Sequence, residues 1–512
     1  MKPLCLFSVA DKTGLLPFAK GLARLGFRFL STGGTAKTLR DAGLDVEEVA
    51  SWTGSPEVLG GRVKTLHPKI FAGILARLHD PEHQEQMQEL GFEPIDMVVV
   101  NLYPFPQVVS QPGVTVEQAT ENIDIGGPSL IRAAAKNHER VTVVVDAHDY
   151  PTVLAEWERN GEVSPGLRRK LAVKAFQHTA VYDACIASHL PHLLGTPNMP
   201  TWEAIYPWLE GQVETLRYGE NPHQRAFFLR PNQPQGLAAF VKLQGKELSY
   251  NNIMDADAAW RAVWDLPSPG VVIVKHGSPC GAALGATASE AYRSAFACDP
   301  VSGFGGVIAF SLPVDEGAAA AVNEQFAEVV LAPAYTPEAQ GLLAKKKNLR
   351  VLKVPQPQMG LPRLRVVDGG LLVQEPDEGF PEKCLVVTRR FPSAEEKRAG
   401  ELAWRMAKHT ISNACVVAQE RQTLGIGGGQ PSRVDACRLA VERAASFGHN
   451  LKGAAAASDG FFPFPDGLKV LAEAGITFVV QPGGSVRDSE VIAAADAMGI
   501  AMAFTGRRHF RH

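Results

Sequence analysis

The chain has 512 residues, more than a single hydrophobic core accommodates, so at least two domains are expected. Its 45% hydrophobic and 21% charged residues are typical of a globular protein and exclude a disordered or fibrous chain. A net charge of −3 without a long basic run argues against nucleic acid or an anionic membrane as a partner.

The cysteines and the N-terminus indicate a reducing compartment. Seven cysteines, odd in number and never spaced C-x-x-C, predict neither a disulfide framework nor a cysteine-rich zinc site. The apolar stretch at residues 4–9 is too short for a signal peptide and is better explained as a first strand. No apolar run approaches the ~18 residues of a membrane span. We therefore expect a cytoplasmic protein.

Short β-branched runs alternate with helical segments over roughly the first 200 residues, which is typical of an α/β domain with a parallel sheet. Strands are predicted at residues 4–9, 27–31, 97–100 and 141–145. The first three run into polar or glycine-bearing turns at 11–14, 32–35 and 101–104. Ligands bind beyond the carboxyl ends of parallel strands, so these turns are candidate walls of a site.

The turn at residues 31–35, Ser-Thr-Gly-Gly-Thr, lies between a predicted strand and a helical segment. Glycines permit close backbone approach, and N–H groups at a helix N-terminus bind phosphate. The same residues fit equally well a glycine-rich turn in which Thr35 caps the helix.

Two further segments of the first domain carry charged residues that are candidates for binding substrate. Residues 60–68 hold Arg62, Lys64 and His67, cations that suit an anionic substrate, although such a loop is more often plain surface. Residues 122–136 set Asp124 before two glycines and Lys136 about three helical turns later. Exposed N–H groups at the glycines would suit an oxyanion, whereas the alternative is an acidic helix N-terminus and a solvated lysine.

The uncharged stretch 194–201, with two prolines and a glycine, is predicted to be a linker. Beyond it, strands are predicted at 270–275, 306–310, 413–418 and 477–480. Two polar or glycine-rich turns, at 276–280 and 425–433, are each expected to lie between a strand and a helix. This shared layout indicates a duplicated α/β unit.

Lys275 and His276 end a strand that is otherwise wholly apolar, where an exposed charged pair is unexpected. A neighbouring lysine lowers the pKa of an imidazole and suits it to act as a neutral base. A simple polar pair at a strand end is the alternative. Cys280 is not followed by a second cysteine at the zinc-deaminase spacing, so the sequence offers no ligands for a metal-activated water.

Three other motifs are less specific. Residues 425–430 depart from a dinucleotide fingerprint because Gln430 stands where glycine or alanine is required, and the chain has no P-loop. Residues 458–464 join Asp459 to three aromatics, which fits either the N–H edge of a bound heterocycle or a hydrophobic core. The tail at 507–512 would be frayed surface in most proteins.

Together and in order, these motifs closely resemble the family of bifunctional purine-biosynthesis enzymes that carry AICAR transformylase and IMP cyclohydrolase on one chain. The resemblance runs from the first strand to the last residue. The matching segments are 8–14, 31–36, 60–68, 101–105, 123–136, 216–224, 248–252, 275–276, 299–306, 425–433, 458–464 and 509–512.

The resemblance implies a methylglyoxal-synthase-like, parallel-sheet α/β domain at residues 1–193, with its core at 1–146, which closes the purine ring. After the linker at 194–201 it implies a transformylase domain at 202–512, built from two cytidine-deaminase-like halves. We therefore expect three hydrophobic cores, one in the first domain and one in each half of the second.

The implied function is the last two steps of IMP synthesis. A formyl group passes from 10-formyltetrahydrofolate to AICAR, giving FAICAR, and FAICAR then closes to IMP with loss of water. The reduced folate is a cosubstrate, no metal is expected, and the other ligands are small ribotides. The family is a homodimer with its transformylase site at the interface.

For formyl transfer, the resemblance implies His276 as the base that deprotonates the weakly nucleophilic 5-amino group of AICAR. Lys275 would lower the pKa of that base and stabilise the transition state, and Asn413 would position the formyl group. The residues expected to hold the ribotide or the folate are Arg217, Tyr218, Gly305, Glu328, Arg433, Asp459 and Arg508.

For ring closure, the resemblance assigns proton transfer to Lys136. The side chains of Lys64, Tyr103 and Asp124 and the Gly126 backbone would polarise and orient the reacting groups. The residues expected to hold the phosphoribosyl end are Asp11, Lys12, Thr32, Gly33, Gly34, Thr35, Arg62, Thr65 and Asn101.

Three small residues depart from the family pattern. Ser278 replaces the usual Asn, Gly303 an Ala or Ser, and Gly460 an Ala. We expect them to alter substrate affinity and not to abolish activity. Two other functions stay open: a nucleotide-sensing regulator, which need not keep Lys136, Lys275 or His276, and a deaminase, which would require zinc.

Overall fold

The computed structural model describes residues 2–195, 212–231, 234–382 and 384–512. The chain divides into two compact units, residues 1–210 (unit 1) and 211–512 (unit 2). Most of the predicted linker, residues 196–201, lies outside the described residues, so the linker and the domain boundaries stay predictions. No described helix combines the length and the apolar character that crossing a membrane requires.

Unit 1 is built on a five-stranded parallel sheet in the order β3-β2-β1-β4-β5. All four strands predicted from the sequence are present, and their ends differ by one residue at most. The additional strand is the two-residue β3, which is too short to leave a pattern. The strands are β1 (Leu4–Val9), β2 (Arg28–Ser31), β3 (Glu47–Glu48), β4 (Met97–Asn101) and β5 (Thr142–Val144).

Helices connect these strands and cover the sheet, because parallel strands need crossover connections. Strands β1 and β4 are buried almost throughout their length, which explains their continuous apolar sequence. The helices are α1 (Leu15–Arg24), α2 (Gly33–Asp41), α3 (Val49–Thr53), α4 (Pro68–Leu75), α5 (Pro81–Glu89), α6 (Phe105–Val109), α7 (Val116–Glu121), α8 (Gly126–Lys136), α9 (Tyr150–Asn160) and α10 (Pro165–Leu193).

Unit 2 contains two six-stranded mixed sheets with the same topology. The first has the order β10-β9-β11-β12-β13-β8 and the second, read in the matching direction, β18-β17-β19-β20-β21-β16. In both, the successive pairs are antiparallel, antiparallel, parallel, parallel and antiparallel. This confirms the predicted duplication of an α/β unit.

The first half contains β8 (Val241–Gln244), α11 (Tyr250–Trp264), β9 (Gly270–Lys275), β10 (Ser278–Leu284), α12 (Ala288–Cys298), α13 (Pro300–Gly303), β11 (Val307–Phe310), α14 (Glu316–Asn323), β12 (Val329–Ala332), α15 (Pro337–Leu343) and β13 (Arg350–Lys353). The second contains β16 (Leu385–Val386), α16 (Ala394–His409), β17 (Cys415–Ala418), β18 (Thr423–Gly427), α17 (Arg433–Ser446), β19 (Ala455–Ser458), α18 (Asp466–Glu473), β20 (Phe478–Gln481), α19 (Asp488–Ala497) and β21 (Ala501–Phe504).

Two antiparallel ribbons complete unit 2: β6 (Gln212–Thr215) with β7 (Phe227–Arg230), and β14 (Arg363–Val367) with β15 (Gly370–Gln374). Their short, partly apolar strands were not predicted from the sequence. Several of their apolar side chains are exposed, and Val366 is the most exposed of them.

The predicted turn at 276–280 is corrected by the structure. It does not precede a helix, because β9 and β10 form a tight hairpin in which Lys275 pairs with Ser278. The two turn residues, His276 and Gly277, both have positive φ, 52° and 76°. Two-residue hairpins favour this conformation because its twist matches that of the strands.

The core of unit 2 also differs from the expected one core for each half. A central hydrophobic cluster contains side chains from α11, from α16 and from one face of each sheet. Trp260 of the first half and Leu402 of the second both belong to it. Two outer clusters cover the opposite faces. The halves therefore bury their apolar surface jointly.

Close helix–strand packing requires glycines in β18. A Cβ on Gly427 would lie 2.0 Å from the carbonyl oxygen of Ala436 in α17. We expect Gly427→Ala to lower the free energy of unfolding by about 1–3 kcal/mol, since overpacking forces the backbone apart. Gly341→Ala is the matched control, because nothing lies within 4 Å of its Cβ position. Thermal unfolding midpoints of the two variants check this, and equal midpoints would contradict it.

Candidate active sites

The carboxyl edge of the unit 1 sheet carries a candidate anion site at the N-terminus of α2. A Cβ on Gly33 would lie 3.5 Å from Nζ of Lys64, and one on Gly34 would lie 4.0 Å from Nζ of Lys12. Two ammonium groups therefore flank the free N–H groups of the first helical turn, an arrangement that suits a phosphate. Lys64 is held by Glu57, 2.8 Å away.

Not every residue predicted to bind there offers a free side chain. The buried Thr35 hydroxyl donates to the Val9 carbonyl over 2.9 Å. The Asn101 amide donates to the Asp11 carbonyl over 2.7 Å and accepts the Asp11 N–H over 3.0 Å. We therefore assign these two side chains to holding the loop. Thr32 precedes α2 and makes no capping hydrogen bond through its side chain.

Two charged residues lie at the rim of this edge. The exposed Asp11 carboxylate accepts the N–H and the hydroxyl of Thr13, and these hydrogen bonds lower the pKa of Asp11. Arg62 forms an exposed ion pair with Glu121. Both ionised groups are accessible to a ligand.

Asp124 is an acid with a shifted pKa near this edge. Burial raises its pKa, although its carboxylate accepts hydrogen bonds from the N–H groups of Gly127, over 2.7 Å, and Tyr103. Tyr182, which the sequence did not single out, accepts the N–H of Asp124 over 2.8 Å and donates to the carbonyl of Asn122. The acid is therefore fixed from several directions, and the Tyr103 ring is half exposed beside it.

Helix α8 separates two groups that were expected to act together. Its first residue, Gly126, lies against Thr65, whose Oγ1 would be 2.7 Å from a Cβ there. Lys136 is the exposed last residue of the helix. Ten residues at 1.5 Å each place it about 15 Å from Gly126 along the axis. Within one chain, Lys136 does not meet Asp124.

In unit 2, the Lys275–His276 pair lies at the β9–β10 hairpin. The His276 side chain is exposed. Lys275 Nζ donates to the carbonyl of Phe304 over 2.8 Å, which ties the pair to the loop that contains Gly305. Gly305 has a φ of 72°, a conformation that favours glycine.

Asn413 belongs to the second half, two residues after Ile411, whose N–H donates to the Ser278 hydroxyl of the hairpin. The Ser412–Asn413 peptide bond is cis. The Asn413 amide donates to the carbonyls of Gln430, over 2.9 Å, and Pro431, over 3.1 Å. Its oxygen accepts from Arg433 over 2.8 Å. Only a second lone pair on that oxygen is left for a ligand.

Arg433 and Asp459 form an ion pair inside the protein. Their side chains are 7% and 0% exposed. The Asp459 carboxylate also accepts from the Ala414 N–H and the Ser412 hydroxyl, and Arg433 donates to Ser458. Protein donors therefore contact both Asp459 oxygens, and the pair holds the oxygen of Asn413. Binding of the N–H edge of a heterocycle by Asp459 stays a prediction.

The two halves meet around a cavity of about 210 Å³. Lys275 and His276 line it from the first half and Gly428 from the second. Ser278 joins the halves there, since its hydroxyl accepts the Ile411 N–H over 3.3 Å. Residues from both halves thus line one cavity.

The remaining predicted ligands lie on other elements. Arg217 and Tyr218 follow β6, and the exposed Arg217 lies over the Tyr218 ring at 5.3 Å. Glu328 is 2.7 Å from the buried Arg350, and more than a third of its side chain is exposed. Arg508 is exposed in the C-terminal tail.

The three departures from the family pattern have local explanations. A Cβ on Gly460 would lie 2.5 Å from the Phe510 ring, and one on Gly303 would lie 3.0 Å from the Phe296 ring. Aromatic rings fill the space that a methyl group would need. Ser278 retains a polar atom for the contact between the halves.

Two residues near the unit 2 site were missed by sequence reasoning. Asp255 in α11 accepts the N–H of Gly277 over 2.6 Å. Arg511 is largely buried, and its carbonyl accepts the Ser412 N–H over 2.9 Å. Asp255 looked like an ordinary helix acid, and Arg511 belongs to a tail that resembled a frayed terminus.

Comparison with known proteins identifies the family. A model described as the AICARFT/IMPCHase bienzyme matches residues 134–443, and one described as the MGS-like domain matches residues 14–129. The chain belongs to the AICARFT/IMPCHase bienzyme family. It is accordingly a bifunctional enzyme, an AICAR formyltransferase and IMP cyclohydrolase, which catalyses the last two steps of IMP biosynthesis.

Two relatives are similar to the bienzyme over its whole length. Both are described as "Bifunctional purine biosynthesis protein PurH", from Desulfitobacterium hafniense strains DSM 10664 / DCB-2 and Y51. Each is 50% identical over an alignment of 524 residues that covers 100% of both chains. A solved structure described as "Crystal structure of ForH" is 41% identical, covers 38% of this chain and 100% of its own, and has a TM-score of 0.35.

The buried ion pair of the bienzyme gives a stability prediction. Asp459→Ala leaves Arg433 buried without its partner, so we expect unfolding to become easier by about 3–5 kcal/mol. Glu324→Gln is the control, because its ion pair with Arg293 lies on the surface and should leave the unfolding curve unchanged. Chemical denaturation of both variants provides the measurement. An Asp459→Ala variant as stable as the control would rule out a structural role for the pair.

Proposed function

We propose that unit 2 transfers the formyl group from 10-formyltetrahydrofolate to AICAR and that unit 1 closes FAICAR to IMP. The observation that carries this assignment is the meeting of the Lys275–His276 turn and Gly428 from opposite halves at one cavity. The anion site at α2, beside the buried Asp124, supports ring closure in unit 1.

Formyl transfer needs a base because the amine of AICAR is conjugated with its ring and is a weak nucleophile. His276 removes its proton as the nitrogen attacks the formyl carbon. The bond from that carbon to N10 of the folate then breaks, and N10 leaves with a proton. Lys275, fixed by the Phe304 carbonyl, provides positive charge beside the developing oxyanion.

The family resemblance implies that Asn413 positions the formyl group, whereas in this proposal Asn413 orients the amine. Both of its N–H groups already bind backbone carbonyls, so its oxygen is the atom left to contact a substrate. Accepting an N–H of AICAR would point the nitrogen lone pair at the formyl carbon. Arg433 and Asp459 keep that oxygen in place from behind.

In ring closure, the carboxamide nitrogen attacks the new formyl carbonyl and water leaves. Both groups belong to one molecule, so binding in the reactive rotamer supplies much of the acceleration. Lys12, Lys64 and the first turn of α2 hold the phosphate. The Gly126 N–H stabilises the oxyanion, and Asp124 with Tyr103 orients the carboxamide.

Loss of His276 separates the two reactions. We expect His276→Ala to slow formyl transfer by about 10²–10⁴-fold, the usual contribution of a general base, while closure of preformed FAICAR continues at its original rate. Lys347→Ala, on an exposed part of the surface, should change neither reaction. Assays with AICAR plus 10-formyltetrahydrofolate, and with FAICAR alone, measure the two steps. Formyl transfer at the wild-type rate by His276→Ala would contradict the role of His276 as the base.

We also propose a homodimer located in the cytoplasm. The exposed apolar side chains of the β6–β7 and β14–β15 ribbons are suited to burial against a second copy. Six cysteines have free thiols, as in a reducing compartment: Cys5, Cys280, Cys298, Cys384, Cys415 and Cys437. In a dimer, Lys136 could serve the Asp124 site of the other chain, which its distance within one chain does not allow.

Mixing two variants tests this role of Lys136. Lys136→Met and Asp124→Asn should each lose ring closure as pure dimers. Dimers formed from both chains contain one site with both groups intact, so partial activity should return on mixing. Formyl transfer, which uses neither residue, is the control. No recovery in mixed dimers isolated by two affinity tags would exclude action between chains.

A further inference from the structure

The turn that presents His276 requires support. A φ of 52° places His276 in the left-handed region, which side-chain-bearing residues occupy infrequently. Gly277 next to it, with a φ of 76°, adopts its conformation readily because it lacks a Cβ. Such a residue stays in place only when its surroundings hold it.

Asp255 provides that support from α11. Its Oδ1 accepts the Gly277 N–H over 2.6 Å, and its carboxylate also accepts the N–H of His276. Hydrogen bonds to an ionised acceptor are stronger than those between neutral groups. Both N–H groups of the turn therefore point at one carboxylate.

The helix that carries this acid is itself firmly held. Ser249 and Asn252 form a capping box at the start of α11, and Trp260 and Val263 are buried in the central core of unit 2. The Asp255 carboxylate is half-buried, nearly two helical turns after the N-cap Ser249. Its position is thus set by the core and not by the loop that it binds.

Arg511 extends the contact toward the second half. Burial raises the pKa of Asp255 overall, whereas the charge of Arg511 nearby favours the ionised carboxylate. Arg511 also donates to the carbonyl of His409 and accepts the N–H of Ser412. Arg511 thus lies next to both the acid that holds the His276 turn and the segment that precedes Asn413.

We propose that Asp255 is a positioning residue for formyl transfer, which holds the backbone of His276 so that the imidazole faces the amine of AICAR. The inference rests on the proposed function, in which His276 is the base. Asp255 acts through the two backbone N–H groups and does not itself take part in proton transfer.

Substitution of Asp255 tests the proposal. Asp255→Ala frees the turn, so we expect kcat for formyl transfer to fall about 10–100-fold, since misplacing a catalytic group by about 1 Å has an effect of that order. KM for AICAR should change little, and closure of FAICAR should not change. Asp255→Asn keeps an oxygen that accepts the N–H groups and should retain most of the activity.

Two controls identify how the acid acts. Asp257→Ala removes another acid from α11, one that pairs with Arg261, and should leave transfer unchanged. In a His276→Ala background, Asp255→Ala should cause no further loss, because there is no imidazole left to position. That result would separate a role through His276 from a general weakening of the fold.

Three results would overturn the proposal: Asp255→Ala transferring at the wild-type rate, Asp255→Asn as impaired as Asp255→Ala, or additive losses in the double variant. If His276→Ala itself transfers formyl normally, the proposed function fails and the proposal about Asp255 fails with it. If Asp255→Ala transfers formyl normally while His276→Ala is impaired, the positioning role of Asp255 is rejected and the proposed function stands.

Discussion

The contact between β10 and β18 is the constraint on which the unit 2 site depends. Ala282 and Thr423 exchange two hydrogen bonds of 2.9 and 3.1 Å, and Leu284 N–H donates to Arg421 over 2.7 Å. The isolated bridge at this contact is antiparallel, so the start of β10 faces the end of β18. Opposite ends of two duplicated sheets thereby contribute to one cavity.

This arrangement explains why the duplicated halves are not functionally equivalent. The first half contributes a tight hairpin that exposes His276, whereas the second contributes Asn413 and a glycine-rich strand end. The polar residues behind them, Asp255 on one side and Arg433 with Asp459 on the other, are turned inward. In the proposed mechanism they fix the backbone of His276 and the amide of Asn413, as electrostatic preorganisation requires.

Much of the fold could be predicted from the sequence because buried parallel strands leave continuous apolar runs, as β1, β4 and β9 do. Short strands and ribbons such as β3 and β14 were missed because two to five residues carry little periodicity. The hairpin at His276 was missed because its second strand contains Pro279, which argues against a strand when only the sequence is read.

The sequence by itself determined the family, the duplicated second unit and the residue types available for each reaction, because these follow from the order and chemistry of its motifs. Tertiary structure decided which of these groups remain free. It placed Lys136 far from Asp124 within the chain and occupied the oxygens of Asp459 with protein donors. It also brought Asp255 to the turn at His276. Such outcomes depend on helix length and on packing between distant segments, which local sequence does not encode.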